Sequence, residues 1–178
     1  MAIGATINKA NLNLSNLNKH HYADYNLTVA RHPSESEERM MCRLVAFLHA
    51  AHADLELTKG ISSTEEPDLW QRHLNGDIEH WIELGMPDEK RIRQACGRAA
   101  KVSIYTYQDN KADIWLEKNK SKLAANSKVS VHHIQVTQGG ELKQLLQKSM
   151  ALSCIIEDEQ MHLSDAENLI AIEIKATI

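Results

Sequence analysis

The dipeptide Asn75-Gly76, between two strand-like segments, is the feature that most constrains what this chain can fold into. The stretch from Glu66 to Lys90 reads EPDLWQRHLNGDIEHWIELGMPDEK. Asn-Gly between alternating segments is the strongest short-range hairpin signal, because both central residues of a type I′ turn need positive φ. The sequence therefore predicts a tight β-hairpin that is closed by a two-residue loop.

A two-residue loop also predicts which hairpin residues lie opposite each other, namely those whose numbers sum to 151. The predicted pairs include Trp70 with Trp81, Asp68 with Glu83, Arg72 with Glu79, and Leu74 with Asp77. Opposed side chains have Cβ atoms about 4.5–5.5 Å apart, and two like charges there are destabilising. Carboxylates about 4 Å apart repel by ~4 kcal/mol at an effective dielectric constant of about 20. Asp68 and Glu83 are therefore candidates to share a cation.

Mg²⁺ suits such a pair because it takes one or two protein carboxylates and keeps several waters for a phosphate substrate. The alternative is that the strand ends are splayed and solvated, with Lys90 or Arg91 neutralising the carboxylates. Beyond the hairpin, the polar face of the next predicted helix carries a basic stripe of Lys90, Arg91, Gln94, Arg98 and Lys101. Such a stripe is usually solvated or ion-paired. Here it begins beside the acidic hairpin, which makes it a candidate phosphate-binding surface.

Composition narrows the class of protein. The 178 residues are 43% hydrophobic and 25% charged, which predicts one compact domain over residues 1–178. The net charge of −4 supplies no basic field for nucleic acid, so any phosphate-binding surface must be local. Cys42, Cys96 and Cys154 form no CxxC pair and indicate buried thiols of a reducing compartment. No signal peptide or long apolar run is visible, so we predict a cytoplasmic protein without a membrane partner.

Periodicity and turn signals predict a mixed α/β order of elements. The predicted elements are a hairpin of residues 3–14 and 22–31, a helix from a Ser34–Glu37 capping box to about Ala53, a strand at 55–61, the Asn75-Gly76 hairpin, a helix opening at Pro87, a strand at 102–107, a helix from Asp109 to about Leu123 with Ile114 and Trp115 inward, a strand at 129–136, a short helix from Gly139 to Gln147, and an antiparallel tail at 150–156, 161–163 and 169–174. A strand, helix, strand order implies that residues 78–84 and 102–107 are parallel.

The order helix, strand, strand, strand, helix, strand over about residues 34–107 resembles the αβββαβ core of the PD-(D/E)XK nuclease superfamily. In this resemblance, Pro67-Asp68 looks like the first part of the motif and Glu83 like the second acid. Glu38 looks like the glutamate of the first helix that assists metal binding in many members. Gly85 stands where the motif has its lysine.

Related folds can supply the missing group from the helix that follows. The candidates are Lys90, Arg91, Gln94 and Lys101, and Gln94 is favoured because it lies in neither the first turn nor the far end of the predicted helix. More closely, several segments resemble the YaeQ family of small bacterial proteins, which is regarded as a compact variation on the PD-(D/E)XK theme. These segments are MAIGATINKA, LTVARHPSESEERMMCRLVAF, LTKG followed by EPDLW, WIELGMPDEKRIRQAC and IYTY.

The resemblance implies an α/β fold with a mixed central sheet, an N-terminal β-hairpin and an antiparallel C-terminal extension. It predicts a metal-dependent nuclease-like protein acting on phosphodiesters. Asp68, Glu83 and Glu38 would hold Mg²⁺ or Mn²⁺, and Gln94 and Lys90 are the further catalytic candidates. The alternative is a non-catalytic nuclease-fold module that binds a protein or nucleic-acid partner through Trp70, Trp81, Arg91, Arg98 and Lys101. A third reading is that the acidic cluster is only structural, so the sequence leaves open whether the protein is an enzyme.

Overall fold

A computed structural model describes residues 4–178 as a mixed α/β chain, which confirms the predicted class. Its elements in chain order are β1 (Thr6–Asn16), β2 (His21–Arg31), α1 (Glu37–His49), β3 (Leu55–Leu57), β4 (Leu69–Arg72), β5 (Ile78–Leu84), α2 (Glu89–Arg98), β6 (Ala99–Thr106), α3 (Asp109–Ala124), β7 (Val129–Gln138), β8 (Ser149–Glu157), β9 (Gln160–Ser164) and β10 (Leu169–Ala176). Short 3₁₀ helices lie at Gly60–Ser62 and Leu142–Leu145. Most paired strands are antiparallel.

By its internal contacts the chain divides into two compact units, which are described separately. The first unit comprises residues 1–49 and 136–174, and the second comprises residues 50–135 and 175–178. The unit bounds fall inside β7 and β10. The expectation of a single domain stays a prediction.

In the first unit, the strands follow the order β2-β1-β8-β9-β10. The N-terminal hairpin and the antiparallel tail are as predicted, although residue 3 of the predicted first strand lies outside the described residues. The sequence did not predict that β1 pairs in parallel with β8, joining segments far apart along the chain. The inner sheet face buries Ala10, Leu12 and Leu14 of β1.

Helix α1 is buried around its whole circumference from Met40 to Leu48, as expected of a helix that forms a core rather than covers one. The predicted capping box at Ser34 and Glu37 is wrong, because Ser34 Oγ instead lies 2.6 Å from His32 Nδ1. Ser36 caps the helix, and its Oγ accepts a hydrogen bond from the Arg39 N–H at 3.1 Å. The helix ends at His49, before the predicted end at Ala53.

In the second unit, the strands follow the order β7-β6-β5-β4-β3. Strands β5, β6 and β7 are parallel, which confirms the prediction for residues 78–84 and 102–107. Their core is built on Trp81, Val102 and Ile104, against which Trp115 of α3 packs as predicted. Ile114 is 56% exposed, so its predicted inward position is wrong.

Helix α2 begins later and ends earlier than predicted. Asp88 is its N-cap and accepts a hydrogen bond from the Arg91 N–H at 2.8 Å, so Pro87 precedes the helix instead of opening it. The helix ends at Arg98, where the chain extends directly into β6. Lys101 therefore lies on a strand, and its predicted place in the basic stripe of the helix is wrong.

The Asn75-Gly76 hairpin forms, but with a three-residue loop. The Gly76 N–H donates to the His73 carbonyl and the His73 N–H donates to the Asp77 carbonyl, each at 2.9 Å. Of the two predicted positive-φ residues, Gly76 has φ +92° and Asn75 does not adopt positive φ. The loop pairs Arg72 with Ile78, so the predicted Arg72–Glu79 and Leu74–Asp77 pairs are wrong.

A bulge between Gln71 and Arg72 then shifts the register by one residue. The shift restores the predicted register beyond it, with Gln71 opposite His80 and Trp70 opposite Trp81.

The three cysteines are free thiols; Cys42 and Cys154 are buried and Cys96 is half-buried. Within the described part of the chain, no helix has the length and apolar character needed to cross a membrane.

Candidate functional site

The predicted acidic pair lies where β4 and β5 run side by side in the second unit. The paired ladder of β4 and β5 ends at Leu69 and Ile82, and the N–H of Asp68, just before β4, donates to the Ile82 carbonyl at 3.1 Å. Asp68 therefore lies beside β5 near Glu83, outside the paired register. Asp68 is 3% exposed and Glu83 is 7% exposed. Asp68 Oδ2 accepts a hydrogen bond from the Leu84 N–H at 2.8 Å, which fixes that carboxylate against β5. Two buried carboxylates thus belong to one site.

The environment of Glu83 disfavours its ionised form. Burial raises the pKa of this carboxyl from its ordinary value of 4.5 to about 7, and the negative charge of Asp68 adds to the rise. Two hydrogen bonds to Glu83 Oε1 act in the opposite direction, one from Trp81 Nε1 at 2.8 Å and one from Arg91 Nε at 2.6 Å. Because the pKa remains raised despite these donors, Glu83 exchanges its proton near neutral pH.

Arg91 links the acidic pair to the loop before β4. Its Nη2 donates to the Glu66 carbonyl at 2.5 Å, its Nη1 donates to the Thr64 carbonyl, and Gln94 Nε2 donates to the same Thr64 carbonyl at 3.2 Å. Arg91 Nη1 also lies 3.2 Å from Gln94 Oε1, which accepts its hydrogen bond. The first turns of α2 therefore tie the loop before β4 to the helix through Arg91 and Gln94. The sequence assigned these residues to a phosphate surface, and that role stays a prediction.

Arginines also lie against both predicted tryptophans. The buried Trp81 ring has the guanidinium carbons of Arg91 and Arg98 at 5.1 and 5.4 Å from its centroid. Trp70 is half-buried, and the guanidinium carbon of Arg72 lies 4.3 Å from its centroid. These distances are typical of cation–π contacts. Trp81 is thus a core residue, whereas Trp70 reaches the surface.

The remaining predicted site residues are dispersed. Lys90 is exposed on α2, and Lys101 is exposed on β6 opposite His80. Glu38 is exposed on α1 in the first unit, where it lines a groove of about 400 Å³ with Glu37 and Lys143. A role for Glu38 in the acidic site stays a prediction.

Two hydroxyl–imidazole contacts in the second unit, one buried and one partly buried, were missed by the sequence analysis. His80 Nε2 lies 2.8 Å from Ser103 Oγ. His133 Nδ1 lies 2.8 Å from Thr106 Oγ1, and its Nε2 lies 2.9 Å from Asp109 Oδ1. Both contacts depend on the register of the parallel strands, which pairs Thr106 with His133, so no local sequence signal reveals them.

The comparisons with known proteins cover nearly the whole chain. A family model described as YaeQ protein matches residues 1–174. The chain belongs to the YaeQ family. YaeQ proteins of Salmonella typhi and Escherichia coli (strain K12), both described as uncharacterized, are each 40% identical over 176 residues, which is 99% of this chain and 97% of each relative.

Solved structures of the YaeQ family agree with the fold. The crystal structure of the YaeQ protein from Xanthomonas axonopodis pv. citri is 34% identical with a TM-score of 0.92, over 97% of this chain and 98% of that chain. The YaeQ protein from Pseudomonas syringae is 26% identical with a TM-score of 0.87, over 98% of this chain and 96% of that chain. The resemblance seen in the sequence segments is therefore confirmed as family membership.

Proposed function

We propose that this chain is a metal-dependent nuclease-like protein that acts on phosphodiesters through Asp68 and Glu83. The observation that carries the proposal is the pair of buried carboxylates of Asp68, just before β4, and Glu83, on β5, whose charges interact. The order α1, β3, β4, β5, α2, β6 also follows the αβββαβ order of the PD-(D/E)XK core. A buried like-charge pair with a raised carboxyl pKa is costly for a fold, and such pairs cluster at functional sites.

The donor set fits a hard divalent cation. Mg²⁺ and Mn²⁺ favour carboxylate oxygens, and Mg²⁺ needs only one or two of them. Among residues 4–178 no group of three or more His, Cys, Asp and Glu side chains is arranged to hold a metal, so water and substrate oxygens would complete the coordination. A bound ion would supply a water of lowered pKa and would polarise the phosphodiester.

Three side chains of α2 have assigned roles. Arg91 donates a hydrogen bond to Glu83 in this structure. Its planar guanidinium can also bind a phosphate through two hydrogen bonds. Gln94 takes the place of the absent motif lysine, since its amide lies within hydrogen-bonding distance of Arg91. Lys90, exposed on the same helix, adds positive charge for an approaching phosphate. Glu83 must lose its proton to bind a cation, so metal affinity should fall as the pH drops below about 7.

The second candidate is a non-catalytic nuclease-fold module. It is favoured by the 2.6 Å contact between Arg91 Nε and Glu83 Oε1, which supplies a cation to the carboxylate without any metal. Gly85, in place of the motif lysine, favours it as well. In this case a protein or nucleic-acid partner would bind the surface that carries Trp70, Arg98 and Lys101, with Trp81 and Arg91 as its support.

Thermal melts in Mn²⁺ and in EDTA distinguish these functions. We expect millimolar Mn²⁺ to raise the melting temperature of the wild type, but not of Asp68→Asn or Glu83→Gln. Binding to the folded state alone adds about 2.7 kcal/mol at roughly a hundred times Kd. At pH 8 the Glu83→Gln variant should melt above the wild type in EDTA, because it removes a buried charge. If Mn²⁺ does not change the melting temperature of the wild type, the metal site is contradicted and the non-catalytic binding module remains as the candidate function.

Activity is measured separately, with labelled DNA and RNA strands and Mn²⁺. Cleavage by the wild type that is lost in Asp68→Asn supports the enzyme. A metal response without cleavage of any strand would retain the metal site but not the nuclease chemistry. Arg93→Ala is a suitable control, since its side chain is 77% exposed and forms its ion pair with Glu89 outside the acidic site.

Gly85→Lys introduces the lysine of the PD-(D/E)XK motif and should measurably lower the stability of the protein. A Cβ atom at Gly85 would meet only Tyr107 Cε1 at 3.9 Å, so a Cβ atom fits there without a clash. The backbone φ of +93° nevertheless costs a non-glycine residue about 1–2 kcal/mol. We expect urea denaturation to show that loss, together with an increase in any Mn²⁺-dependent cleavage. Gly76→Lys has a similar φ of +92° in open space and should lose stability without gaining cleavage.

A further inference from the structure

Strand β2 leaves one of its edges open. Among the described residues it pairs with β1 alone. The direction of the open edge follows from the neighbouring ladder, in which the Lys9 N–H donates to the Lys148 carbonyl at 2.8 Å and the Leu17 N–H donates to the Ile156 carbonyl at 2.9 Å. Odd-numbered residues of β1 therefore point their backbone groups toward β8. Its even-numbered residues point theirs toward β2, because backbone direction alternates along a strand.

The register then shows which backbone groups of β2 are free. Leu12 pairs with Tyr25 and Ala10 with Leu27, so odd-numbered residues of β2 bond to β1 and even-numbered residues point outward. Arg43 Nη2 donates to the Ala30 carbonyl at 2.8 Å, which agrees with this direction and closes that end of the edge. The open edge consists of the outward backbone groups of Tyr22, Asp24, Asn26 and Thr28.

This edge lacks the features that usually protect an edge strand. Natural edges are short, bulged, or interrupted by proline and lysine. Strand β2 has 11 residues and contains no proline, glycine or lysine, whereas β3 at the end of the other strand order has three residues. Along the open edge Ala23, Tyr25 and Leu27 are only half-buried, although they belong to the inner sheet face. Another strand placed there would cover them.

We propose that β2 pairs with β2 of a second copy of this chain, antiparallel, with Tyr25 on the two-fold axis. Outward residues whose numbers sum to 50 then face each other, so Asp24 lies opposite Asn26 of the second copy, which can donate to its carboxylate. On the inner face, Ala23 lies opposite Leu27 of the second copy, which matches a small side chain to a large one. A two-fold axis at Asp24 would instead oppose two carboxylates and is disfavoured.

The occupant is a second copy because the edge complements itself. Each of the four outward residues offers one N–H and one carbonyl, and the symmetric register uses all of them. Only Asp24 is charged within residues 22–28, so two edges approach without the repulsion that a row of lysines creates. The pairing lies within the first unit and does not depend on the proposed nuclease function.

Sedimentation velocity over a range of concentrations tests the dimer. We expect the wild type to convert from monomer to dimer as its concentration rises. Asn26→Pro removes an outward N–H without touching the β1 ladder, and should weaken dimerisation by about tenfold or more with little change in melting temperature. Asn26→Ser keeps the N–H and should dimerise like the wild type. A wild type that stays monomeric at its highest soluble concentration, or an Asn26→Pro variant that dimerises fully, overturns the proposal.

Crosslinking provides a test that does not depend on Asn26→Pro folding. Two Tyr25 residues on the axis form a non-hydrogen-bonded pair, whose Cα separation of about 4.5 Å suits a disulfide. Under mild oxidation Tyr25→Cys should form a covalent dimer. Leu27→Cys, which faces Ala23 of the second copy, and the wild type with its native thiols should not. Equal crosslinking of Leu27→Cys and Tyr25→Cys would refute the register.

Discussion

Replacing Arg91 with methionine is expected to lower the free energy of unfolding by about 3 kcal/mol at pH 8. The substitution leaves Glu83 buried beside Asp68 without its guanidinium partner, and breaking a buried ion pair typically costs about 3–5 kcal/mol. The lower end applies because the Arg91 side chain is 19% exposed and therefore partly solvated. The loss also includes the hydrogen bonds to the Thr64 and Glu66 carbonyls. Urea denaturation of both proteins measures the difference.

The pH dependence identifies the charge as the cause. In the wild type the folded-state pKa of Glu83 is raised from 4.5 to about 7, so the folded state holds a proton that the unfolded state releases. Stability from this group therefore falls as the pH rises from about 4.5 to 7, by on the order of 3 kcal/mol. Without Arg91 the pKa of Glu83 rises further, so the cost of Arg91→Met should grow above pH 7 and shrink at pH 6.

A double variant separates the ion pair from the loop contacts. Glu83→Gln removes the buried charge, so Arg91→Met should cost much less in that background at pH 8. The Glu83→Gln variant should also lose most of the fall in stability between pH 4.5 and 7. Arg93→Met is the matched control, because its exposed i,i+4 pair with Glu89 is screened by solvent and contributes little to stability. Equal costs of Arg91→Met in both backgrounds would mean that the loop contacts, not the charge, stabilise this region.

Substituting alanine for Gly139 should be the most damaging single-methyl change in the chain's turns. Gly139 has φ +94°, and a Cβ atom there would lie 2.0 Å from the Leu169 carbonyl oxygen and 3.0 Å from Ile170 Cα. Backbone atoms of β10 cannot turn aside as a flexible side chain can. Left-handed strain of about 1–2 kcal/mol and overpacking of about 1–3 kcal/mol together predict a loss of about 2–5 kcal/mol.

Gly76→Ala provides the comparison for this prediction. Its φ of +92° is nearly the same, yet a Cβ atom there has nothing within 4 Å. It should therefore lose only the strain of about 1–2 kcal/mol. Chemical denaturation of both variants isolates the clash from the strain. Similar losses in the two variants would show that the β10 backbone yields easily at Gly139.

The hairpin illustrates how far local sequence rules reach. The pairing of Trp70 with Trp81 was predicted from a two-residue loop, but the loop that forms has three residues. The predicted pair is nevertheless correct, because the longer loop and the bulge displace the register in opposite directions. Asn-Gly is compatible with both the two-residue and the three-residue loop, and the two loops differ little in local energy. Pairings with little local signal were missed, such as β1 with β8, whose partners are about 140 residues apart along the chain.

The candidate site was predictable in its residues more than in their partners. The sequence brought Asp68 and Glu83 together, and in the structure the two buried carboxylates are close enough for their charges to interact, although the predicted one-to-one pairing ends at Leu69. It did not reveal that Arg91 turns inward to Glu83 and to two loop carbonyls, because the loop conformation around Thr64 has no periodic signal. Lys101 was misassigned because Gly97, in the last turn of α2, was not used as a signal that the helix ends, and the chain passes directly from Arg98 into β6. The metal and the substrate class stay predictions.

The reactivity of the three free thiols can be used to measure local opening of the chain. Burial raises the pKa of Cys42, Cys154 and Cys96, so little reactive thiolate forms at neutral pH. Cys96 is half-buried, whereas Cys42 on α1 lies inside the first unit. Slow alkylation of Cys42 would therefore count openings of that unit, and the faster alkylation of Cys96 would follow smaller local fluctuations of α2.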